Sequence, residues 1–120
     1  MTDPIDPAVF DALVEMTGGE LDFVDELIDT YLDDGAGQVA ALRAALAASD
    51  VPALVRPAHS LKGSSFNLGA MELGALCQDL EQRGRSGAID DAAARVASIA
   101  AGFDRVREAL LAERAGRPAS

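Results

Sequence analysis

The sequence predicts an all-α protein, an antiparallel four-helix bundle with an additional short helix at its N-terminus. Of the 120 residues, 49% are hydrophobic but only 4% are aromatic, so we expect a core of Leu, Val, Ile and Ala, which suits close-packed helices. Apolar residues recur at spacings of three and four, and no segment alternates with a period of two, as a half-buried strand would. We expect residues 1–115 to form a single domain and residues 116–120 a loose C-terminal tail.

The first third of the chain predicts a short helix followed by a long one. The Asp-Pro pair at residues 6–7 is typical of a helix start, and the Gly-Gly pair at residues 18–19 is typical of a helix end. A second helix is expected to begin near Glu20, because apolar residues recur after it on one face: Val24, Leu27, Ile28 and Tyr31. The Asp-Asp-Gly-Ala-Gly segment, residues 33–37, is expected to weaken or break this helix before the pattern resumes.

Three further helices are expected in the rest of the chain. Asp50 is a candidate N-cap for one that runs towards Gly69, and the next begins near Met71 and stops around residues 84–87. The last helix has the clearest pattern, since its apolar residues follow alternating steps of four and three, as in the seam of a bundle: Ala92, Val96, Ile99, Phe103, Val106 and Leu110. The Gly-Arg-Pro segment at residues 116–118 is expected to end it.

Composition and charge exclude several functions. A formal net charge of −10 and a pI near 4.3 argue against a nucleic-acid-binding protein, which needs a basic face. No run approaches the ~18 apolar residues of a membrane span, and the acidic start lacks the apolar segment of a secretory signal. The single cysteine and single histidine lack partner ligands for zinc. We therefore expect a cytoplasmic monomer that binds no nucleic acid, membrane, metal or cofactor.

One cluster of residues carries chemistry. His59, the only histidine, lies three residues before Lys62, the only lysine, and Gly63 follows at once. On a helix these positions share a face, which points away from the apolar stripe of the same segment. An accessible imidazole nitrogen can attack phosphorus, a nearby cation can offset phosphoryl charge, and a glycine lets a partner approach the helix backbone. The cluster predicts a phosphoryl-accepting histidine; the alternative is a surface histidine with an accidental lysine neighbour.

The segment around this cluster resembles a known signature. Residues 58–70, AHSLKGSSFNLGA, are closely similar to the signature of histidine-containing phosphotransfer (HPt) domains. The likeness covers most of the chain, since it includes the overall length, the helix order and a set of residues on the next predicted helix: Leu73, Leu76, Cys77, Leu80 and Glu81.

The resemblance implies a function and a set of roles. HPt domains are helical bundles that carry a phosphoryl group between aspartates of response-regulator receiver domains, without an ATP site or kinase activity. Carried over to this chain, His59 is the phosphoryl acceptor through its outer ring nitrogen, Lys62 neutralises charge, and Gly63 gives the partner access. The Mg²⁺ that serves the reaction would belong to the receiver, and a hybrid histidine kinase is a further implied partner.

Pro57 departs from the family pattern. It lies two residues before His59, where the family usually has an ordinary helix former. Because a proline inside a helix removes a backbone hydrogen bond and clashes with the preceding turn, we expect either a kink over residues 53–57 or a helix that starts around Arg56.

Glu81 is the second departure. Many family members have a glutamine on the facing helix that bonds the active histidine, and this chain has Glu81 there, with Gln78 and Gln82 nearby. Glu81 either accepts a hydrogen bond from the inner ring nitrogen of His59, which would fix its tautomer, or is a solvated residue.

Helical geometry also predicts a docking surface around His59. Val55, Gly63 and Phe66 would form a small apolar patch on which a receiver can lie. Ser65 points towards the apolar stripe, so its hydroxyl is expected to bond the helix backbone. Cys77 and Phe103 fit the core.

Two other functions are weighed against phosphotransfer. One is an interaction module of the same fold that no longer transfers phosphate, and the intact cluster of His59, Lys62 and Gly63 argues against it. The other is an enzyme, either a histidine kinase fragment or a phosphohistidine-dependent transferase, and the lack of any nucleotide-binding motif argues against that. The Met1 start favours a free-standing protein over a segment of a hybrid kinase.

Overall fold

The computed structural model describes residues 4–87 and 89–115, and over these ranges it contains helices and no strand. Five α-helices follow one another, and a 3-10 turn, Pro52–Leu54, precedes the third: α1 (Pro7–Met16), α2 (Leu21–Ala47), α3 (Val55–Leu68), α4 (Met71–Ser86) and α5 (Ala92–Ala115). None of these helices is long and apolar enough to cross a membrane. The predicted tail, residues 116–120, lies outside the described residues.

Helices α2 to α5 form the predicted four-helix bundle. Each packs against the next, and α5 packs back against α2, so α3 and α5 lie diagonally across the bundle. The short connections make successive helices antiparallel. The short helix α1 packs against α3, and the Asp6 amide donates a hydrogen bond to the Gly69 carbonyl at 2.7 Å. The predicted N-cap is confirmed, because the Asp6 carboxylate accepts a hydrogen bond from the Ala8 amide at 3.0 Å.

The expected break in the second helix is wrong. Helix α2 runs without interruption through residues 33–37, and Gly35 in the middle of this segment is buried against α5. A Cβ atom at Gly35 would overlap the ring of Phe103, which is itself 4% exposed. The glycine therefore lets α5 approach α2 closely, and the burial of the aromatic ring outweighs the roughly 1 kcal/mol of helix propensity that the glycine lacks.

This packing makes Gly35→Ala and Gly37→Ala a matched pair. Gly35→Ala is expected to lower the free energy of unfolding by about 1–3 kcal/mol, because the added methyl group displaces the Phe103 ring. Gly37→Ala is expected to raise it by about 0.5–1 kcal/mol, because that glycine has nothing within 4 Å of a Cβ position and only helix propensity changes. Urea unfolding of the two variants measures both effects. Changes in the free energy of unfolding that have the same size and sign in the two variants would contradict this account of Gly35.

Pro57 lies in the first turn of α3. Helix α3 begins at Val55, so Pro57 is its third residue, where a backbone N–H would have no helical partner in any case. The prediction that this helix starts around Arg56 is confirmed to within one residue. Asp50 caps the preceding 3-10 turn, because its carboxylate accepts a hydrogen bond from the Ala53 amide at 3.2 Å.

Burial in the core confirms the predicted seam of α5. Five of the six predicted seam residues of α5 are buried, and Ala92 is half-buried. Cys77 is also buried, which raises the pKa of its thiol to about 12 and leaves it neutral.

The predicted hydrogen bond from Ser65 to the helix backbone is wrong. The Ser65 hydroxyl lies 2.9 Å from that of Tyr31, and both are buried. This hydrogen bond joins α2 to α3 inside the bundle.

Candidate functional site

The outer face of α3 presents the residues that the sequence singled out. The side chain of His59 is 60% exposed, and a Cβ atom at Gly63, one turn further on, would have nothing within 4 Å. The opposite face of the same helix holds Ala58 and Leu61 fully buried. The imidazole is thus accessible on a helix that the core fixes in place.

Glu81 of α4 brings three basic side chains together. Its carboxylate is only 6% exposed, and its Oε2 atom lies 2.9 Å from His59 Nδ1 and 2.8 Å from Arg85 Nη2. Its Oε1 atom lies 2.7 Å from Lys62 Nζ. The alternative of a solvated Glu81 is therefore wrong. Because an ionised carboxylate only accepts hydrogen bonds, His59 donates from Nδ1–H, and in the neutral ring the lone pair therefore lies on Nε2, at the far edge.

Two glycines of α4 make this arrangement possible. A Cβ atom at Gly84 would lie 2.8 Å from Val55 Cγ2, and one at Gly74 would lie 2.5 Å from the Phe66 ring. The two side chains of α3 thus occupy space that side chains at these positions of α4 would fill, and the helices approach closely enough for Glu81 to reach His59. Val55 and Phe66 are half-buried along the line of contact between α3 and α4, whereas Gly63 is exposed. The structure therefore places the three predicted docking residues in different surroundings, and of these only Gly63 is open.

The pKa of Glu81 reflects this environment. The hydrogen bond from Lys62 contributes most to lowering it, burial acts in the opposite direction, and the bonds from Arg85 and His59 lower it further. The result is a pKa of about 2, compared with an ordinary value of 4.5. Glu81 is therefore ionised throughout the physiological range and offers His59 a permanent hydrogen-bond acceptor.

Glu81→Gln is expected to remove a pH-dependent part of the stability. Because the pKa of Glu81 is lower in the folded than in the unfolded state, its ionisation stabilises the fold above pH 4.5, and this is lost as the pH falls towards 2. The contribution is on the order of 3 kcal/mol at pH 7 and falls to about half by pH 3. Urea unfolding of both proteins at pH 7 and pH 3 measures it, with the exposed Glu108→Gln as the control. A difference between wild type and Glu81→Gln that stays constant over this range would contradict the assignment.

Arg85 is a residue of the site that was not predicted from the sequence. It is four residues after Glu81 on the same helix, a spacing that brings side chains together and would have indicated the pair. The spacing does not show that Glu81 is buried, because its burial depends on the packing of α3 against α4.

The described residues contain no group of three or more His, Cys, Asp or Glu side chains placed to hold a metal ion.

A groove lies beside the exposed face of α3. It has a volume of about 510 Å³ and opens between α1, α2 and α3, and we call it the lateral groove. Its lining includes Leu13 and Met16 of α1, Leu27 and Asp34 of α2, and Ser64 and Asn67 of α3. Met16 is 84% exposed. The groove could not be predicted from the sequence, because three helices build it and its leucines fit the periodicity of the core equally well.

The fold and the site define a class of protein. The family model of the Hpt domain matches residues 26–110, which includes α3, α4 and most of α2 and α5. The chain belongs to this family, whose members are phosphotransfer proteins. The resemblance seen in the residues around His59 is therefore confirmed.

Two known proteins are similar to this chain. The multistep phosphorelay regulator 1 of Schizosaccharomyces pombe (strain 972 / ATCC 24843) is 35% identical over 81 residues, which are 67% of this chain and 28% of that protein. The chain thus spans little more than a quarter of the length of this relative. The crystal structure of histidine-containing phosphotransfer protein B (HptB) from Pseudomonas aeruginosa PAO1 matches with a TM-score of 0.88 and 33% identity, over 98% of this chain and 100% of that chain.

Proposed function

We propose that this protein is a phosphorelay intermediate that accepts a phosphoryl group on His59 from a receiver-domain aspartate and passes it to another receiver. The observation that carries the proposal is the state of the imidazole. His59 is 60% exposed, yet its Nδ1 atom lies 2.9 Å from a buried carboxylate. This contact orients the ring and leaves Nε2 as the nucleophile towards a partner. Similarity to a phosphorelay regulator and to HptB supports the same role.

The transfer step uses residues that lie within reach of one another. The Nε2 lone pair attacks the phosphorus of the receiver's aspartyl phosphate, the bond from phosphorus to the carboxyl oxygen breaks, and the aspartate leaves as a carboxylate. The imidazole ring then carries a positive charge beside the phosphoryl group. The hydrogen bond from Nδ1–H to Glu81 stabilises that charge, and the reverse sequence at a second receiver restores the neutral ring. We propose that the receiver holds the Mg²⁺ for this step and that this chain needs no cofactor.

The proposed function is tested by comparing two phosphoryl donors. Incubation with a phosphorylated receiver from the source organism should label the chain, and a second receiver should remove the label. Incubation with labelled ATP alone should leave the chain unlabelled, because a carrier has no autokinase activity. Labelling by ATP alone, or none from any phosphorylated receiver, would contradict the proposal.

Lys62 is proposed to neutralise phosphoryl charge. Its ammonium group lies 2.7 Å from Glu81 Oε1, and its side chain is 24% exposed, which is less than the sequence indicated. Lys62 nevertheless lies one turn from His59, and its long side chain is flexible. Lys62→Ala is expected to slow transfer about tenfold, which corresponds to a loss of ~1.4 kcal/mol of transition-state stabilisation. Rapid-quench measurement of transfer from one phosphorylated receiver tests this, with Arg105→Ala on α5 as the control. An unchanged rate for Lys62→Ala would limit Lys62 to its ion pair with Glu81.

A further inference from the structure

Glu81 holds the same lysine that the proposed transfer needs at the phosphoryl group. Lys62 Nζ lies 2.7 Å from Glu81 Oε1, and this contact contributes most to the low pKa of Glu81. A glutamine at this position would carry no charge with which to hold the ammonium group. In this chain, an incoming phosphoryl group therefore competes with a buried carboxylate for Lys62.

The two carboxylate oxygens of Glu81 have different partners. Oε1 contacts Lys62. Oε2 accepts hydrogen bonds from Arg85, through Nη2 at 2.8 Å and Nε at 3.2 Å, and lies 2.9 Å from His59 Nδ1. A departure of Lys62 from Oε1 therefore breaks none of the contacts of Oε2. The bond that orients the imidazole is kept.

Arg85 supplies the positive charge that Glu81 needs while Lys62 is away. The Glu81 side chain is 6% exposed, and a buried carboxylate without a cation is costly. A neutral His59 gives it a hydrogen bond but no charge, and the ring becomes positive only as its bond to phosphorus forms. Lys62 meets the phosphoryl oxygens earlier, as the receiver approaches. In this interval Arg85 is the cation in contact with Glu81.

No acidic residue close in sequence competes for Arg85. Asp79, two residues before Glu81 on α4, accepts hydrogen bonds from Arg83 at 3.0 and 3.1 Å and pairs with Arg95 of α5. Helix α3, on the other side of Glu81, contains no acidic residue. Two N–H groups of Arg85 thus bind the oxygen that also orients the imidazole.

We propose that Lys62 changes partner during phosphoryl transfer, from Glu81 to the phosphoryl oxygens, and that Arg85 is the positioning residue that permits this exchange. The inference rests on the proposed function. Glu81 and the phosphorus lie at opposite edges of the imidazole, roughly 6–7 Å apart, so one ammonium group serves them in turn. Rotation about the side-chain bonds of Lys62 moves Nζ by several ångströms while the backbone of α3 stays in place. Arg85 remains on Oε2, so Glu81 stays ionised and His59 keeps its orientation.

A double-mutant cycle on the transfer rate tests the role of Arg85. Lys62→Ala, Arg85→Gln and the double variant are compared by rapid-quench transfer from one phosphorylated receiver. Arg85→Gln should slow transfer about three- to tenfold, and no more than Lys62→Ala does, because Arg85 acts through Lys62. In the Lys62→Ala background it should change the rate less than about twofold. Arg83→Gln is the control, since Arg83 pairs with Asp79 and not with Glu81.

A second cycle avoids the unpaired buried carboxylate of the double variant. With Glu81→Gln, Lys62 is no longer held by a charge, so adding Arg85→Gln should change the transfer rate less than about twofold. Arg85→Lys keeps a cation four residues after Glu81 and should transfer within about twofold of wild type. Losses that multiply in both cycles would show that Arg85 itself contacts the phosphoryl group, and they would overturn the inference.

The partner exchange is observed directly through the lysine. Lys62 is the only lysine of the chain, so a protein labelled with ¹³C in lysine has one set of side-chain signals. In the unphosphorylated protein, nuclear Overhauser contacts should join the Lys62 Cε protons to the Glu81 Cγ protons. After phosphorylation with phosphoramidate, a small donor that needs no receiver, these contacts should disappear. Their persistence would overturn the inference.

The two measurements also separate this inference from the proposed function. Transfer from receivers to wild type, together with unchanged Lys62 contacts, upholds the proposed function and overturns the inference. If no phosphorylated receiver labels the wild type, the proposed function is wrong, and the spectra of the phosphoramidate-treated chain still decide whether Lys62 changes partner.

Discussion

His59→Gln is expected to abolish phosphoryl acceptance and leave the fold unchanged. A glutamine amide can still donate a hydrogen bond to Glu81, but its nitrogen has no lone pair available to attack phosphorus. Because the His59 side chain is 60% exposed, its replacement should change the free energy of unfolding by no more than about 0.5 kcal/mol. Acid-labile, alkali-stable phosphate on the chain after incubation with a phosphorylated receiver is the measurement.

Ser60→Ala is the matched control for this experiment. Ser60 is the next residue on α3 and is exposed, and its backbone carbonyl, which accepts a hydrogen bond from Ser64, is kept in the variant. Ser60→Ala should accept phosphate as wild type does. Undiminished labelling of His59→Gln, with circular dichroism unchanged, would rule out His59 as the acceptor.

Gly63→Gln is expected to weaken receiver binding and phosphoryl transfer together, by at least about tenfold. The substitution places a long side chain on the open face of α3, one turn from His59, where the two reacting groups must meet. Nothing lies within 4 Å of a Cβ atom at Gly63, so the bundle itself does not resist the change. The melting temperature should stay constant or rise slightly, because glycine costs about 1 kcal/mol in a helix.

A second glutamine variant separates docking from general surface effects. Ala101→Gln adds the same side chain to an exposed position of α5, which lies diagonally across the bundle from α3. It should leave receiver affinity unchanged. A fall of several degrees in the melting temperature of Gly63→Gln would show instead that Gly63 is needed for packing, and unchanged affinity would remove Gly63 from the docking surface.

Local patterns in the sequence determine most of the helix ends and the helix face that carries His59. The N-cap at Asp6, the proline near the start of α3 and the seam of α5 each depend on residues within two or three turns, and the structure has them where the pattern indicates. The exposure of His59 has the same origin, because residues 58 and 61 of its own helix are apolar and face the core. Such features follow from the chain's own geometry and need no knowledge of the neighbouring helices.

Contacts between helices decide what the sequence left open or predicted wrongly. Gly35 reads as a helix breaker along the chain, but the Phe103 ring of another helix occupies the space beside it. Ser65 could have bonded its own backbone, but the hydroxyl of Tyr31 lies within 2.9 Å. In both cases the relevant neighbour is more than 30 residues away in sequence, and only the packed bundle brings it within contact distance.

Glu81 shows the same division at the functional site. By itself an acidic residue on a helix of an acidic protein is most often solvated, and the sequence supported either alternative. Helix packing decides between them. Gly74 and Gly84 let α3 lie close to α4, so Glu81 is buried and contacts three basic side chains. The sequence alone thus determined the order of the helices and the exposed face that carries His59, which depend on local periodicity. The tertiary structure decided how the imidazole is held and which groove lies beside it, because burial and charge pairing depend on side chains that different helices bring together.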